Sequence, residues 1–500
     1  MFDWIVVLIP VLPWLAALLS GLQSLQGRPA TKADAARGAG LVVSAVAVSF
    51  VLACLCLLLA EYGLVPRVIH YGTWLNSGDF HVHVSVLAER QTLGSAALFS
   101  GLIVLVARCS AHHSHRLVVS LFAGAILWLV LADSLVLTLL AWALAAVCSL
   151  LLIDAGREHS LATRHMTRAV LTHRIGEAGF GLALLVAYTS PGGIEWSTLL
   201  AAASVQDAPW AGSLALCLLI PAMAGAGLVP FSPGLTRAIE ASTASGASLY
   251  GAIMASVGVF LVLRLEPLFM AAPWAMTVLT AVGLLSLLYG FLCSWVWRGS
   301  RSAQAFPIIS QTGLLFLLAG LGLWQWAWWY MAAHAVLRVL QFFNTPARMH
   351  HTPDPPVPSP PDWLASQPRL YRLALRHFYL ETLSDALLVK PCLSLARDCQ
   401  RFDHAVIDST LGEAGSTLRE RATGVRQEST GLPGRLLHAV GIFLQRLEQH
   451  LTVHGLSRAA LRRIHRLGQR LNRLEDGLAL PRYWFLWIVL TLLIMANGGW

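Results

Sequence analysis

The chain has 500 residues, 56% of them hydrophobic and only 12% charged, with a mean hydropathy of +0.64 and a formal charge of +9. These proportions exclude a soluble globular protein and leave a polytopic membrane protein. The basic excess falls in alternate loops between apolar runs, which is a topology signal and excludes a nucleic-acid-binding role.

A helix needs about 20 apolar residues to cross about 30 Å of hydrocarbon. The first such run, 4–24, begins "MFDWIVVLIP"; with no basic leading region and no small-residue cleavage site, it reads as a span rather than a removed signal. Further runs lie near 40–60, 90–108, 117–133, 135–153, 168–189, 211–231, 245–264, 271–296, 304–322, 324–344 and, shorter, 483–497. Arg28, Lys32 and Arg37 follow the first run, Arg108 and Arg116 flank the loop after the third, Arg157, Arg164 and Arg168 follow the fifth, and Arg298 and Arg301 follow the ninth. The positive-inside rule then puts the N-terminus outside, the long segment from Pro346 to Arg482 inside, and the last span returning outward. Of the eight cysteines, Cys54, Cys56, Cys109, Cys148, Cys217 and Cys293 lie in or beside apolar runs without CxxC spacing and read as small buried hydrophobes.

Between the second and third runs, "HVHV" (His81, His83) alternates like an external strand or loop. The histidines of "SAHHSH" belong to a cytoplasmic loop, and neither group has metal-ligand spacing. Asp133, at the outer turn between the fourth and fifth runs, is expected to be solvated. The sixth run opens "THRIGEAGFG", where Glu177 lies four residues from His173 and three from Arg174, on one helical face with both. Those groups could form a structural pair near the membrane surface or a proton-accepting site.

The seventh run is interrupted by "PAMAGAGLVPFSPG", Pro221 to Gly234, with three Pro and three Gly. It predicts a helix broken inside the membrane, a feature tolerated only where protein or water covers the backbone. The eleventh run, "MAAHAVLRVLQFF", sets His334 and Arg338 one turn apart; the pair reads as a proton relay or as a satisfied histidine beside a snorkelling arginine. The chain then divides: a membrane domain over 1–345, a Pro-rich linker over 346–369, a helical amphipathic segment over 370–482 and a last span over 483–500. In "LSRAALRRIHRLGQRLNRL", Leu461, Ile464, Leu467 and Leu471 share a face opposite the arginines, which suits a partner protein, an anionic lipid surface or the segment's own fold. No nucleophile elbow, Walker loop, dinucleotide fingerprint or metal spacing occurs, so no enzyme activity and no cofactor are expected.

Six blocks, "LADSLVLTLLAWALAAVCSLLLI", "THRIGEAGFG", the broken run with "LVPF", "TASGASLYGAIMASVGVFL", "RSAQAFPIISQTGLLFLLAGLG" and "MAAHAVLRVLQFF", occur in an order that resembles the antiporter-like, proton-translocating subunits of respiratory complex I, closest to subunit L. The resemblance covers roughly residues 60 to 345, and "FYLETLSDALLVKPCLSLA" resembles the region before the last span of that subunit. It implies an all-α inverted-repeat fold of about twelve spans with a truncated second repeat, a helical cytoplasmic tail and a central polar axis. By the same resemblance, the family glutamate of the fifth span falls on Ala143, the lysine of the broken span on Gly225 and the histidine of the eighth on Tyr250. The acidic residue of the sixth span is kept as Glu177 and the histidine of the eleventh as His334, while the lysine before the tenth span falls on or near Arg301 and the lysine one turn after His334 has become Arg338. Shortened relatives of the DabB type, from the inorganic-carbon uptake complex, are similar in architecture. That likeness implies a membrane subunit for carbon dioxide or bicarbonate accumulation in a bacterial inner membrane, holding a large cytoplasmic DabA-like zinc subunit. The alternatives are a complex I or cation/proton-antiporter-like subunit and a non-conducting scaffold.

Overall fold

The computed structural model describes residues 3–25, 32–77, 80–109, 113–154, 160–204, 208–241, 244–297, 301–344 and 361–402. The docking face expected at Leu461, Ile464, Leu467 and Leu471, and the span expected at 483–497, lie outside the described residues.

The apolar runs become helices in chain order: α1 (Asp3–Leu25), α2 (Lys32–Glu61), α3 (Arg90–Cys109), α4 (His113–Leu131), α5 (Leu135–Asp154) and α6 (Ser160–Thr189). A hairpin of β1 (Val68–Ser77) and β2 (Phe80–Leu87) separates α2 from α3, with His81 and His83 on β2. An isolated hairpin is marginal in water. This one is anchored because Val82, Val86 and Leu87 enter the core and the Asp133 amide donates to the Ser85 carbonyl at 3.0 Å. Short α7 (Trp196–Ala203) precedes α8 (Pro209–Ala226) and α9 (Ser232–Ala241). Then come α10 (Ala244–Ala247), a π-helical segment (Ser248–Met254), α11 (Ala255–Arg264), α12 (Glu266–Met270), α13 (Pro273–Val296), α14 (Arg301–Gly320) and α15 (Trp324–Asn344). Seven helices among the described residues are long and apolar enough to cross a membrane, and shorter apolar stretches lie at Leu117–Leu131, Ser248–Arg264 and Gln304–Gly320.

The eighth run therefore differs from the single helix expected over 245–264. It starts as a short helix and passes through the wider π form before regular α geometry resumes. The seventh run breaks as expected, but its first half already ends at Ala226.

Helices in lipid gain little from burying apolar surface against one another, so close approach and dispersion dominate. The pair α13 and α14 meets through Gly283 and Gly290 on one side and Ser310, Gly313 and Leu317 on the other. A Cβ added at Gly313 would stand 2.5 Å from the Leu287 amide nitrogen. The first helix is tied across to α4 by Trp14 Nε1 donating to the Leu121 carbonyl at 3.1 Å and Ser120 Oγ donating to the Pro13 carbonyl at 2.7 Å. Beyond the membrane helices, α16 (Asp362–Ala365), α17 (Pro368–Leu375), α18 (Leu380–Ser384) and α19 (Lys390–Phe402) fold back over the ends of α6, α9 and α13.

Gly313→Val is expected to force α13 and α14 apart and to cost about 1–3 kcal/mol, as overpacking does. It should lower the thermal unfolding midpoint in detergent. Gly94→Ala, where an added Cβ meets nothing within 4 Å, should leave the midpoint unchanged or slightly higher. Equal midpoints for Gly313→Val and the unchanged chain would contradict this packing.

Candidate functional site

The break between α8 and α9 is built by its own sequence. Pro221 sits inside α8, and Gly227 adopts a left-handed conformation (φ 67°) that ends the helix while its amide still reaches the Met223 carbonyl. The amide of Leu228 also donates to Met223 at 3.0 Å, and that of Val229 to Ser286 Oγ of α13 at 3.1 Å. No ionisable residue lies in the break. The position to which the resemblance assigned a lysine, Gly225, is filled from outside by the Trp142 ring, which stands 2.6 Å from where a Cβ would be. Trp142 is fully buried against Phe180, whereas Ala143, its chain neighbour, is only half-buried. Gly225 thus faces the tryptophan.

Around this break lie the titratable side chains of the interior. Glu177 pairs with Arg174 at 2.6 Å and not with His173. His173 is fully buried and meets the ring of Tyr250, on the π-helical segment, edge-on at 5.5 Å between centroids. Neither ring nitrogen of His173 has a hydrogen-bond partner among the described residues. His334 on α15 is likewise buried with neither nitrogen partnered, and it does not bond Arg338. Arg338, also buried, donates instead through Nε to Gln311 of α14 at 3.2 Å and through a terminal nitrogen to Gln341. Arg301 opens α14. Of the residues singled out in the sequence, the fold brings Glu177 to Arg174, His173 to Tyr250 and Gly225 to Trp142. Gln311, which holds Arg338 from α14, carried no sequence signal, because α14 reads as an ordinary apolar span.

At the hairpin end of the bundle, Asp133 is fully buried, contrary to the solvated position expected. Its carboxylate caps α7, accepting from the Ser197 amide at 2.8 Å and from Ser197 Oγ at 2.7 Å. Burial pushes this carboxyl above the usual carboxylate range, and the Ser197 hydrogen bonds and the nearby Arg264 charge oppose that rise. Arg264, buried at the end of α11, lies over the Trp196 ring at 4.7 Å and donates to the Ala132 carbonyl at 2.9 Å, just beyond α4. A cation capping a helix C-terminus suits the helix dipole. A cavity of about 470 Å³ opens beside it, lined by Arg67, Glu89, Trp196, Arg264, Glu266 and Trp328 among others. Its charges balance, and Arg67 already pairs with Glu89.

At the opposite end, the tail segment is strapped to the membrane helices by two ion pairs. Arg168, near the start of α6, makes a bidentate pair with Asp385 at 2.9 and 2.7 Å, and Arg237 of α9 pairs with Glu381 at 2.8 Å. The strap contains three successive residues with positive φ, His377, Phe378 and Tyr379. Such a turn costs about 1–2 kcal/mol per residue. It is held because His377 lies against the rings of Trp297 and Phe306, Phe378 meets Tyr289, and Glu381 bonds His377. No group of three or more metal-ligating side chains occurs among the described residues.

Residues 132–354 match the family model described as NADH:quinone oxidoreductase/Mrp antiporter, TM. The chain is 27% identical to NAD(P)H-quinone oxidoreductase subunit 5, organellar chromatophore 1, of Paulinella chromatophora, over 69% of this chain and 54% of that protein. It is 24% identical to NAD(P)H-quinone oxidoreductase chain 5 of Synechocystis sp., over 69% of this chain and 52% of that protein. The chain spans about half the length of these relatives. Among solved structures it resembles the Mrp complex of Dietzia sp. DQ12-45-1b (TM-score 0.55, 21% identity, 68% of this chain and 37% of that one). It also resembles the membrane-bound sulfane sulfur reductase, an archaeal respiratory membrane complex (TM-score 0.57, 16% identity, 68% of this chain and 70% of that one). The fold is the antiporter-like membrane fold of these subunits, and residues 132–354 are similar to the antiporter-like subunits of complex I and Mrp.

The strap generates a pH prediction. The hydrogen bond from His377, helped by Arg237, holds the Glu381 carboxyl down at about 2. A depressed carboxyl contributes stability above its unfolded value of about 4.3 and loses it as pH falls toward the folded value. Attachment of the strap should therefore be constant above about pH 5 and weaken progressively below about pH 4. At neutral pH, Glu381→Gln and Arg168→Ala should each speed trypsin cleavage at Arg369, Arg372 and Arg376 by roughly tenfold, matching a loss of about 1–2 kcal/mol. Unchanged cleavage in both variants would mean that these pairs do not hold the strap.

Proposed function

We propose that the chain is a proton-translocating, antiporter-like membrane subunit of a multi-subunit complex of the complex I and Mrp type. The observation that carries this reading is the placement of Glu177 and His334, two titratable side chains inside the antiporter-like fold, on helices packed around the broken helix and the π-helical segment. A charge at membrane depth is costly and tends to serve function. Glu177 exchanges a proton against the fixed positive charge of Arg174. His334 exchanges one within reach of the field of Arg338, whose guanidinium keeps its own proton and acts as a stationary cation. Glycine at 225 and the Trp142 ring occupy the place of a lysine, so the proton route we propose passes α6 and α15 rather than crossing α8 at that level.

A finer reading assigns the complex to inorganic-carbon accumulation with a large zinc-containing cytoplasmic partner. What supports it is the folded strap, which presents the exposed side chains Leu383, Leu387 and Leu395 next to the ends of α6 and α9. The chain then serves as the membrane anchor of that partner and is not itself an enzyme.

The test is proton flux by the native complex, purified through a tag on this chain and reconstituted in liposomes. Glu177→Gln and His334→Ala should each reduce flux at least tenfold with assembly intact. Full flux in the double variant would leave the non-conducting scaffold. Zinc and a large soluble partner in the purified complex would favour the finer reading; quinone-reductase subunits would favour the coarser one. Gly225→Lys should reduce folded yield because of the Trp142 ring, and Trp142→Ala should restore part of it. Equal yields for Gly225→Lys and the unchanged chain would show that the ring yields freely.

A further inference from the structure

His173 is the least explained polar group in the interior. A buried imidazole with no hydrogen bond costs about 1–3 kcal/mol for each unsatisfied group, and native interiors seldom keep such a group without a use or a water. The nearest protein groups are engaged elsewhere. Arg174 and Glu177 satisfy each other, and the Thr172 hydroxyl donates to the Arg168 carbonyl at 2.9 Å. What His173 does meet is Tyr250, on a π-helical segment all of whose seven residues are buried. Single π turns recur at functional sites because the widened helix displaces its backbone from the regular hydrogen-bond ladder.

The second unpartnered imidazole is on the helix that packs against that same segment. Phe342 of α15 lies where a Cβ on Gly251 would point, and Trp328 of α15 meets Phe260 of α11. The helix α15 thus runs antiparallel along the π-helical segment and α11, with His334 between these two contacts. Charged groups on the elements packed against α6 are sparse among the described side chains. There are none on α8, while Arg237 on α9 and Asp385 in the strap are each already paired. Among the described side chains, no charged group donates to the lone pair of His173.

We propose that the imidazole of His173, edge-on to Tyr250 beside the helix break, holds a buried water and is a proton-accepting site on the α6 side of the bundle. The neutral ring takes a proton from a hydrated proton on its unprotonated nitrogen, leaving a water molecule. It returns the proton to the next water and regains its neutral form. The water-binding part stands on the geometry alone; the transport role rests on the proton-translocating reading above.

The experiment is solid-state NMR of the full chain in lipid bilayers. Thr172–His173 is the only Thr–His step in the 500 residues, so pairing carbonyl-labelled Thr with nitrogen-labelled His marks this backbone position uniquely. Ring signals are reached from it within the residue. The expected result is rapid transfer of magnetisation from water to the His173 ring, with at least fivefold faster build-up than for the fully buried alanine Ala222. Build-up as slow as that of Ala222 would overturn the proposal, and this readout needs no variant to fold. Flux through the reconstituted native complex then tests the role. Conduction that falls at least tenfold in His173→Gln supports it, and full conduction in that variant overturns it. A native complex that conducts no protons defeats the proton-translocating reading while the water readout still decides the site.

Discussion

A backbone amide or carbonyl cannot be left bare in hydrocarbon, and the architecture follows from how this chain meets that constraint at the end of α8. Each described amide from Gly227 to Val229 has an acceptor, two on the Met223 carbonyl and one on Ser286 of the facing helix, and Pro230 has none to satisfy. The cover is then supplied by neighbours that come unusually close. Gly179 of α6 lies against Pro221 and the Cys217 carbonyl, the one that proline leaves without its helical donor, and Gly258 of α11 lies against the Ala222 carbonyl and the Ala226 amide. Side chains at those two glycines would push α6 and α11 off the break. Once they are seated, the positions of α5, α9 and α15 follow by packing on them, and α13 by packing on α8 and α14.

The same economy governs the charges. At the hairpin end, Asp133 and Arg264 are both buried without touching. Each meets a helix terminus, Asp133 the amide end of α7 and Arg264, through its two terminal nitrogens, the carbonyl end of α4, with Trp196 between them. Helix dipoles stand in for the direct pair, which avoids desolvating two ions against each other. At the strap end the pairs are direct and only partly buried, where solvent still shares the cost.

Spans were legible in the sequence because hydropathy needs no tertiary information, and the break was legible because Pro221, Gly227 and Pro230 act locally. Asp133 was misread because a turn position says nothing about what folds over it; its cover, α7, lies some sixty residues downstream, with Ser197 as the contact. Helical periodicity put Glu177 within reach of both His173 and Arg174 and could not choose between three and four residues of separation. The choice was made by Tyr250, whose ring takes the His173 side. What fills the space at Gly225 was not legible: the ring belongs to Trp142 of α5, and which residue of that helix faces the glycine only the packed helices reveal.

The strap also imposes an order on biogenesis. Asp385 follows Arg168 by 217 positions, so the start of α6 waits through the synthesis of every later membrane helix in the described bundle before its counter-ion exists. Glu381 closes on α9 after a delay of 144 residues. Until residues 381 and 385 have been made, both arginines lack these counter-ions. Closure of the strap therefore comes after every described membrane helix has been made.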